Sequence, residues 1–177
     1  TGRMGKSAYK RFNAIGYGCP GLLEDNRRLI FINQEQGLRY LLVKPSDVAM
    51  YVEHGAADIG VVGKDVILED RPDIYELLDL KFGVCRFAVA APQDWQDDLA
   101  RPLKVATKYT RVAREYFLAQ GRQVEIIKLH GSVELAPLIG LSDVIVDIVE
   151  SGATIRENNL SIVAEIAGSS ARLIANK

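Results

Sequence analysis

The feature that most constrains this chain is a regular alternation running from Leu103 to Thr154. Leu103–Thr107, Val124–Leu129 and Val144–Val149 read as apolar strands. Between them lie stretches with helical spacing. Thr110–Gln120 carries Val112, Tyr116 and Phe117 and is stopped by Gly121, and Ser132–Ile139 is stopped by Gly140. Strand–helix–strand–helix–strand alternation predicts parallel pairing with right-handed crossovers. In open sheets of this kind, ligands lie beyond the carboxyl ends of the strands.

Those strand ends are polar: Thr107-Lys108-Tyr109, His130-Gly131-Ser132-Val133-Glu134 and Glu150-Ser151-Gly152-Ala153-Thr154. Parallel neighbours would gather them on one sheet edge, with donors for a phosphate and acids to accept from ribose hydroxyls. The last turn follows a strand of β-branched residues with the composition of one buried on both faces. Gly152 permits close approach to the main chain, and Thr154-Ile155-Arg156-Glu157-Asn158-Asn159 can open a short helix. The turn reads either as a phosphate cradle or as an ordinary helix start capped by Ser or Thr. Asp147 interrupts the buried strand, where an unpaired acid costs several kcal/mol or shifts its pKa. It therefore needs a partner, either a neighbouring loop or a ligand. Glu134 is equally a ligand acid or a surface acid stabilised by its helix dipole.

The rest of the chain reads less regularly. Ala8, Phe12 and Ile15 mark a helix stopped by Gly16, and no strand precedes it. Leu29–Ile32 and Leu38–Val43 flank a turn and predict a hairpin. Pro45-Ser46-Asp47 opens a helix through Tyr51 that closes near Gly55, with His54 at its dipole-favoured end. Tyr51 and Tyr116 read as core. Strands follow at Ile59–Gly63, Tyr75–Leu80 and Cys85–Ala91, the first leading into a short helix where Lys64 and Asp65 suggest a pair. Gln93–Arg101 reads as a loop or short helix at a lobe boundary. Ser161–Ile166 and Ala171–Ala175 are closing strands expected to return to the first lobe.

Composition excludes several classes. The 177 residues are 48% hydrophobic and 25% charged with a net charge of -1, so no nucleic-acid or acidic-membrane footprint appears. The two cysteines and two histidines are isolated, which argues against a disulfide framework or a metal cluster and suits a reducing cytosol. No apolar run approaches the ~18 residues of a membrane span, and no secretory signal is visible. No Gly-x-Gly-x-x-Gly follows an early strand, which disfavours a dinucleotide-binding dehydrogenase.

Together these pieces resemble the short-form catalytic subunits of the ATP phosphoribosyltransferase family, which opens histidine biosynthesis. The matching motifs are Pro45-Ser46-Asp47-Val48, Tyr51 to Asp65, Gly131 to Leu138, Asp147 to Thr154 and Arg172 to Asn176. The resemblance implies an α/β fold of two lobes with mixed and parallel sheets, like type II periplasmic binding proteins. It places residues 1–86 with 164–177 in lobe I and 87–163 in lobe II. It implies transfer of a phosphoribosyl group from phosphoribosyl pyrophosphate to N1 of the adenine of ATP, with Mg²⁺ held through substrate phosphates and not by a protein cage. Ser151, Gly152, Ala153 and Thr154 would hold the 5-phosphate, and Glu134 and Asp147 the ribose hydroxyls. Arg3 and Arg27 would neutralise charge on the leaving pyrophosphate and the triphosphate. Lys108, Tyr109 and Asp47 are further candidates. The family carries Lys-Gly-Arg after a first strand, where this sequence has Thr1-Gly2-Arg3. The chain has no room for the regulatory domain of the long form. A cytoplasmic homodimer is therefore expected, paired with a regulatory subunit resembling histidyl-tRNA synthetase. The rival reading is a two-lobed solute- or anion-binding module without catalysis.

Overall fold

A computed structural model describes residues 3–22, 24 and 27–177, with only the backbone of Arg3. In chain order the elements begin with α1 (Arg3–Ala14), β1 (Ile30–Asn33), β2 (Leu38–Leu41), α2 (Val48–Glu53), β3 (Ile59–Gly63), α3 (Lys64–Asp70) and β4 (Tyr75–Asp79). They continue with β5 (Cys85–Pro92), β6 (Leu103–Thr107), α4 (Thr110–Ala119), β7 (Val124–Lys128), α5 (Leu135–Leu138), β8 (Val144–Val149), α6 (Ala153–Glu157), β9 (Leu160–Ser169) and β10 (Ala171–Ala175). The chain divides into two compact units, 1–67 with 71–83 and 170–177, and 68–70 with 84–169.

In the first unit β1 and β2 form the expected antiparallel hairpin. A separate three-stranded sheet has the order β3-β10-β4, with β10 antiparallel to both neighbours. Its core is Ala49 and Val52 of α2 against Val62 and Ile174. Gly60 is needed for this packing, because a Cβ there would lie 2.8 Å from Val48 Cγ1 and 2.9 Å from Val52 Cγ2. Tyr51 is exposed and lies outside that core. Its helical spacing does not bring it onto the packed face of α2. Lys64 pairs with Glu76 at 2.5 Å, across to β4 and away from Asp65.

The second unit is built on a five-stranded sheet ordered β7-β6-β8-β5-β9. β6 runs parallel to β7 and β8, as the alternation predicted, while β5 is antiparallel to β8 and β9. β9 stays in this unit, paired with β5 from Cys85↔Ser169 to Pro92↔Leu160, and only β10 returns to the first. That continuous pairing places residues 84–86 and 164–169 in the second unit rather than in lobe I. Residues 93–101 form turns within the unit, with Trp95 packed against its core. Alternate residues serve two faces. Phe87, Val89, Val105, Val144 and Val146 meet Val112, Ala113 and Phe117 of α4. Ala88, Ala90, Ala106, Ile145 and Val149 meet Val133, Ala136 and Ile155 on the α5 and α6 side.

Candidate functional site

Because β6, β7 and β8 are parallel, their carboxyl ends share one edge of the second unit's sheet. What decides the site is which of those ends leaves donors open. At α4 the helix start is already filled. The Glu69 carboxylate accepts from the Arg111 and Val112 amides at 3.0 Å and from Thr110 Oγ1 at 3.2 Å. A side-chain anion thus occupies the place a phosphate would take. The α6 start differs. Gly152 sits there at φ +74, and Ser151 Oγ accepts from the Ala153 amide at 3.3 Å. Among the described residues, the amides of Gly152, Thr154 and Ile155 donate to no protein acceptor. Thr154 and Ser151 are exposed, so their hydroxyls face solvent beside these amides.

Asp147 follows the period of Ile145 and Val149, which places it on the α5 and α6 side of the sheet. Glu134, half-buried, occupies the N-cap position of α5 on the same side, with no side-chain bond to the helix. Glu134, Asp147 and Ser151–Thr154 are therefore brought to one face and one edge. Asp147 Oδ1 accepts from its neighbour's amide, Ile148 N, at 2.8 Å, which orients the half-buried carboxylate. Helix α5 is short, Leu135–Leu138, because Ser132 takes a left-handed φ of +49 that the helical spacing of 132–139 did not reveal.

The remaining candidates fall elsewhere. Tyr109 is a core residue: it is buried, with its ring edge-to-face on Phe87 at 4.9 Å. That packing joins it to the apolar cluster against α4. Lys108 beside it is exposed, its Nζ 5.7 Å from the Tyr109 ring centroid. Asp47 belongs to the first unit and accepts from Ser46 Oγ at 2.8 Å. Arg27, also in the first unit, is exposed, and the side chain of Arg3 lies outside the described residues.

Two residues that entered the sequence reading only as parts of longer stretches, with no role of their own, bear on the site. Arg156, one turn into α6, folds back so that Nη1 donates to the Ser151 carbonyl at 3.2 Å. A Cβ on Gly152 would lie 3.1 Å from that same nitrogen. This adds a cation beside the open amides, and the i, i+4 spacing from Gly152 was the available signal. Thr107, fully buried, is the other. Among the described residues no group of three or more His, Cys, Asp or Glu could hold a metal ion.

Comparison with known proteins bears on the family and the fold. Residues 44–177 match the family model described as HisG, ATP phosphoribosyltransferase. An ATP phosphoribosyltransferase from Brachyspira hyodysenteriae is 57% identical over 177 residues, covering 99% of this chain and 86% of that protein. The structure resembles the ATP phosphoribosyl transferase (HisG:HisZ) complex from Thermotoga maritima with a TM-score of 0.86 and 33% identity, covering 99% of this chain and 84% of that one. A more distant likeness, TM-score 0.50 at 12% identity over 78% of this chain and 55% of that one, is to the alkanesulfonate-binding protein SsuA from Xanthomonas axonopodis pv. citri; it shows a shared fold alone. With the family model spanning most of the sequence and a relative more than half identical, this chain belongs to the HisG family of ATP phosphoribosyltransferases.

Proposed function

We propose that the chain transfers the phosphoribosyl group of phosphoribosyl pyrophosphate to N1 of the adenine of ATP, releasing pyrophosphate in the first step of histidine biosynthesis. The observation that carries this reading is the open α6 start: unpaired amides of Gly152, Thr154 and Ile155 stand beside Asp147 and Glu134 on one face of the sheet. Amides and hydroxyls suit the 5-phosphate, and carboxylates suit the ribose hydroxyls. The adenine nitrogen supplies the electron pair for the new bond to C1, and the C1–oxygen bond breaks with its pair leaving on pyrophosphate. Positive character grows on the ribose, where the Asp147 and Glu134 carboxylates oppose it. Charge on the leaving group calls for preorganised cations, the role assigned to Arg27 and Arg3.

The reaction would use Mg²⁺ bound through substrate phosphates and water, since Mg²⁺ keeps several waters and needs few carboxylates. Such an ion would neutralise pyrophosphate charge as it leaves. No side chain is assigned to it. The reading extends to a cytoplasmic, short-form catalytic subunit that forms a homodimer and works with a separate regulatory subunit. The HisG:HisZ pairing named for the Thermotoga maritima relative supports that last point.

Incubating the chain with ATP, phosphoribosyl pyrophosphate and Mg²⁺ is expected to yield phosphoribosyl-ATP and pyrophosphate, resolved by anion-exchange chromatography. Binding of phosphoribosyl pyrophosphate without either product, with and without an added HisZ-type subunit, would favour the non-catalytic module and overturn the proposal.

A further inference from the structure

Thr107 is the last residue of β6 and is wholly enclosed. Its hydroxyl does two things at once. Oγ1 donates to the Val146 carbonyl at 2.6 Å and accepts from the Tyr109 amide at 2.8 Å. The β6–β8 ladder ends at the register pair Thr107↔Val146, so Asp147 is the first residue of β8 beyond that pairing. One side chain thus replaces the next rung of the ladder and ties the turn leaving β6 to the residue immediately before Asp147. A buried hydroxyl with both partners satisfied holds its neighbours in one arrangement, and losing it leaves a carbonyl and an amide unpaired.

Resting on the proposed phosphoribosyl site, we infer that Thr107 is a positioning residue for Asp147, acting through the Val146 carbonyl to set the carboxylate for the ribose hydroxyls. It touches no substrate. Its influence falls on phosphoribosyl pyrophosphate and not on ATP. Serine, which keeps the hydroxyl, is the conservative replacement; valine keeps the shape and loses the hydrogen bonds.

The test compares steady-state kinetics of wild type, Thr107→Ser, Thr107→Val and Thr107→Ala, with Asp147→Asn alone and combined with each of the last two. Wild type is expected to be active, Thr107→Ser to stay within about threefold of it, and Thr107→Val to lose about tenfold or more in kcat/KM for phosphoribosyl pyrophosphate. KM for ATP is expected to change less than twofold. In the Asp147→Asn background the Thr107→Val loss should largely vanish, because the group it positions is gone. Should the valine variant fail to fold, the alanine variant carries the same comparison. An equal loss for both substrates, a full loss in the Asp147→Asn background or a serine variant as poor as valine would overturn the role of Thr107. A wild-type chain that makes no phosphoribosyl-ATP would instead overturn the function on which it rests.

Discussion

At the residue scale, the site is decided by which polar atoms have partners. Thr154 is exposed at the open start of α6, and under the proposed function its hydroxyl would donate to the substrate's phosphate. A hydrogen bond to a charged group contributes about 1.5–3 kcal/mol. Thr154→Ala is therefore expected to weaken phosphoribosyl pyrophosphate binding about tenfold or more, with the Tm of the free chain nearly unchanged. Calorimetry returning the wild-type affinity would remove Thr154 from the site. Asp147 and Tyr109 show how far single letters can be read. An acid interrupting Val144–Val149 announces a special position, because burial penalises an unpaired charge whatever the fold. Tyr109 carries no such signal. A tyrosine at a strand end is equally a ligand group or a core ring, and Phe87, which packs edge-to-face on it, comes from a strand far away in sequence. Thr107 was obscure for the same reason: its acceptor, Val146, is brought beside it only by the β6–β8 register.

At the element scale, the strands and the parallel series were legible, since apolar runs punctuated by Gly121 and Gly140 leave few alternatives. The state of the helix starts was not. Nothing local to Thr110 reveals that Glu69 fills the amides of α4, as the two lie 41 residues apart. Removing this cap by Glu69→Ala is expected to cost about 0.5–2 kcal/mol, seen as a lowered midpoint in urea unfolding of the free chain. An unchanged midpoint would show that α4 does not depend on it. The α6 start is sensitive in another way. Gly152 has a left-handed φ of +74 and little room, with Arg156 Nη1 3.1 Å from any added Cβ. Gly152→Ala must strain the turn by about 1–2 kcal/mol or displace Arg156. Either result moves the amides, so phosphoribosyl pyrophosphate binding should fall more than stability does. Comparing the fold-loss in affinity by calorimetry with the shift in Tm checks this. Equal free-energy losses in the two measurements would reduce Gly152 to a purely structural glycine.

At the scale of the whole molecule, each unit encloses its own core and its own ion network. In the first unit Asp79 takes hydrogen bonds from the Lys81 side chain and amide and from Ser170 Oγ, with Arg172 close by, and these hold its carboxyl well below the usual carboxylate range. In the second, Arg101 binds Asp143 through two nitrogens at 2.8 and 2.9 Å, and the Lys104 amide adds a third bond, again lowering the carboxyl pKa. A folded pKa below the unfolded one means that the unfolded chain binds more protons in acid. The stability from these carboxylates is therefore complete above the unfolded value of about 3.9 and is lost as pH falls toward the folded values. The expected result is a Tm that is flat from neutral pH to about pH 5 and declines steeply below pH 4. Asp79→Asn and Asp143→Asn should each lower Tm at neutral pH and flatten the decline, and because they share no partner their effects should add. A Tm series from pH 7 to pH 2.5 on the single and double variants measures both properties. A decline as steep in the double variant as in the wild-type chain would place the acid sensitivity in other carboxylates.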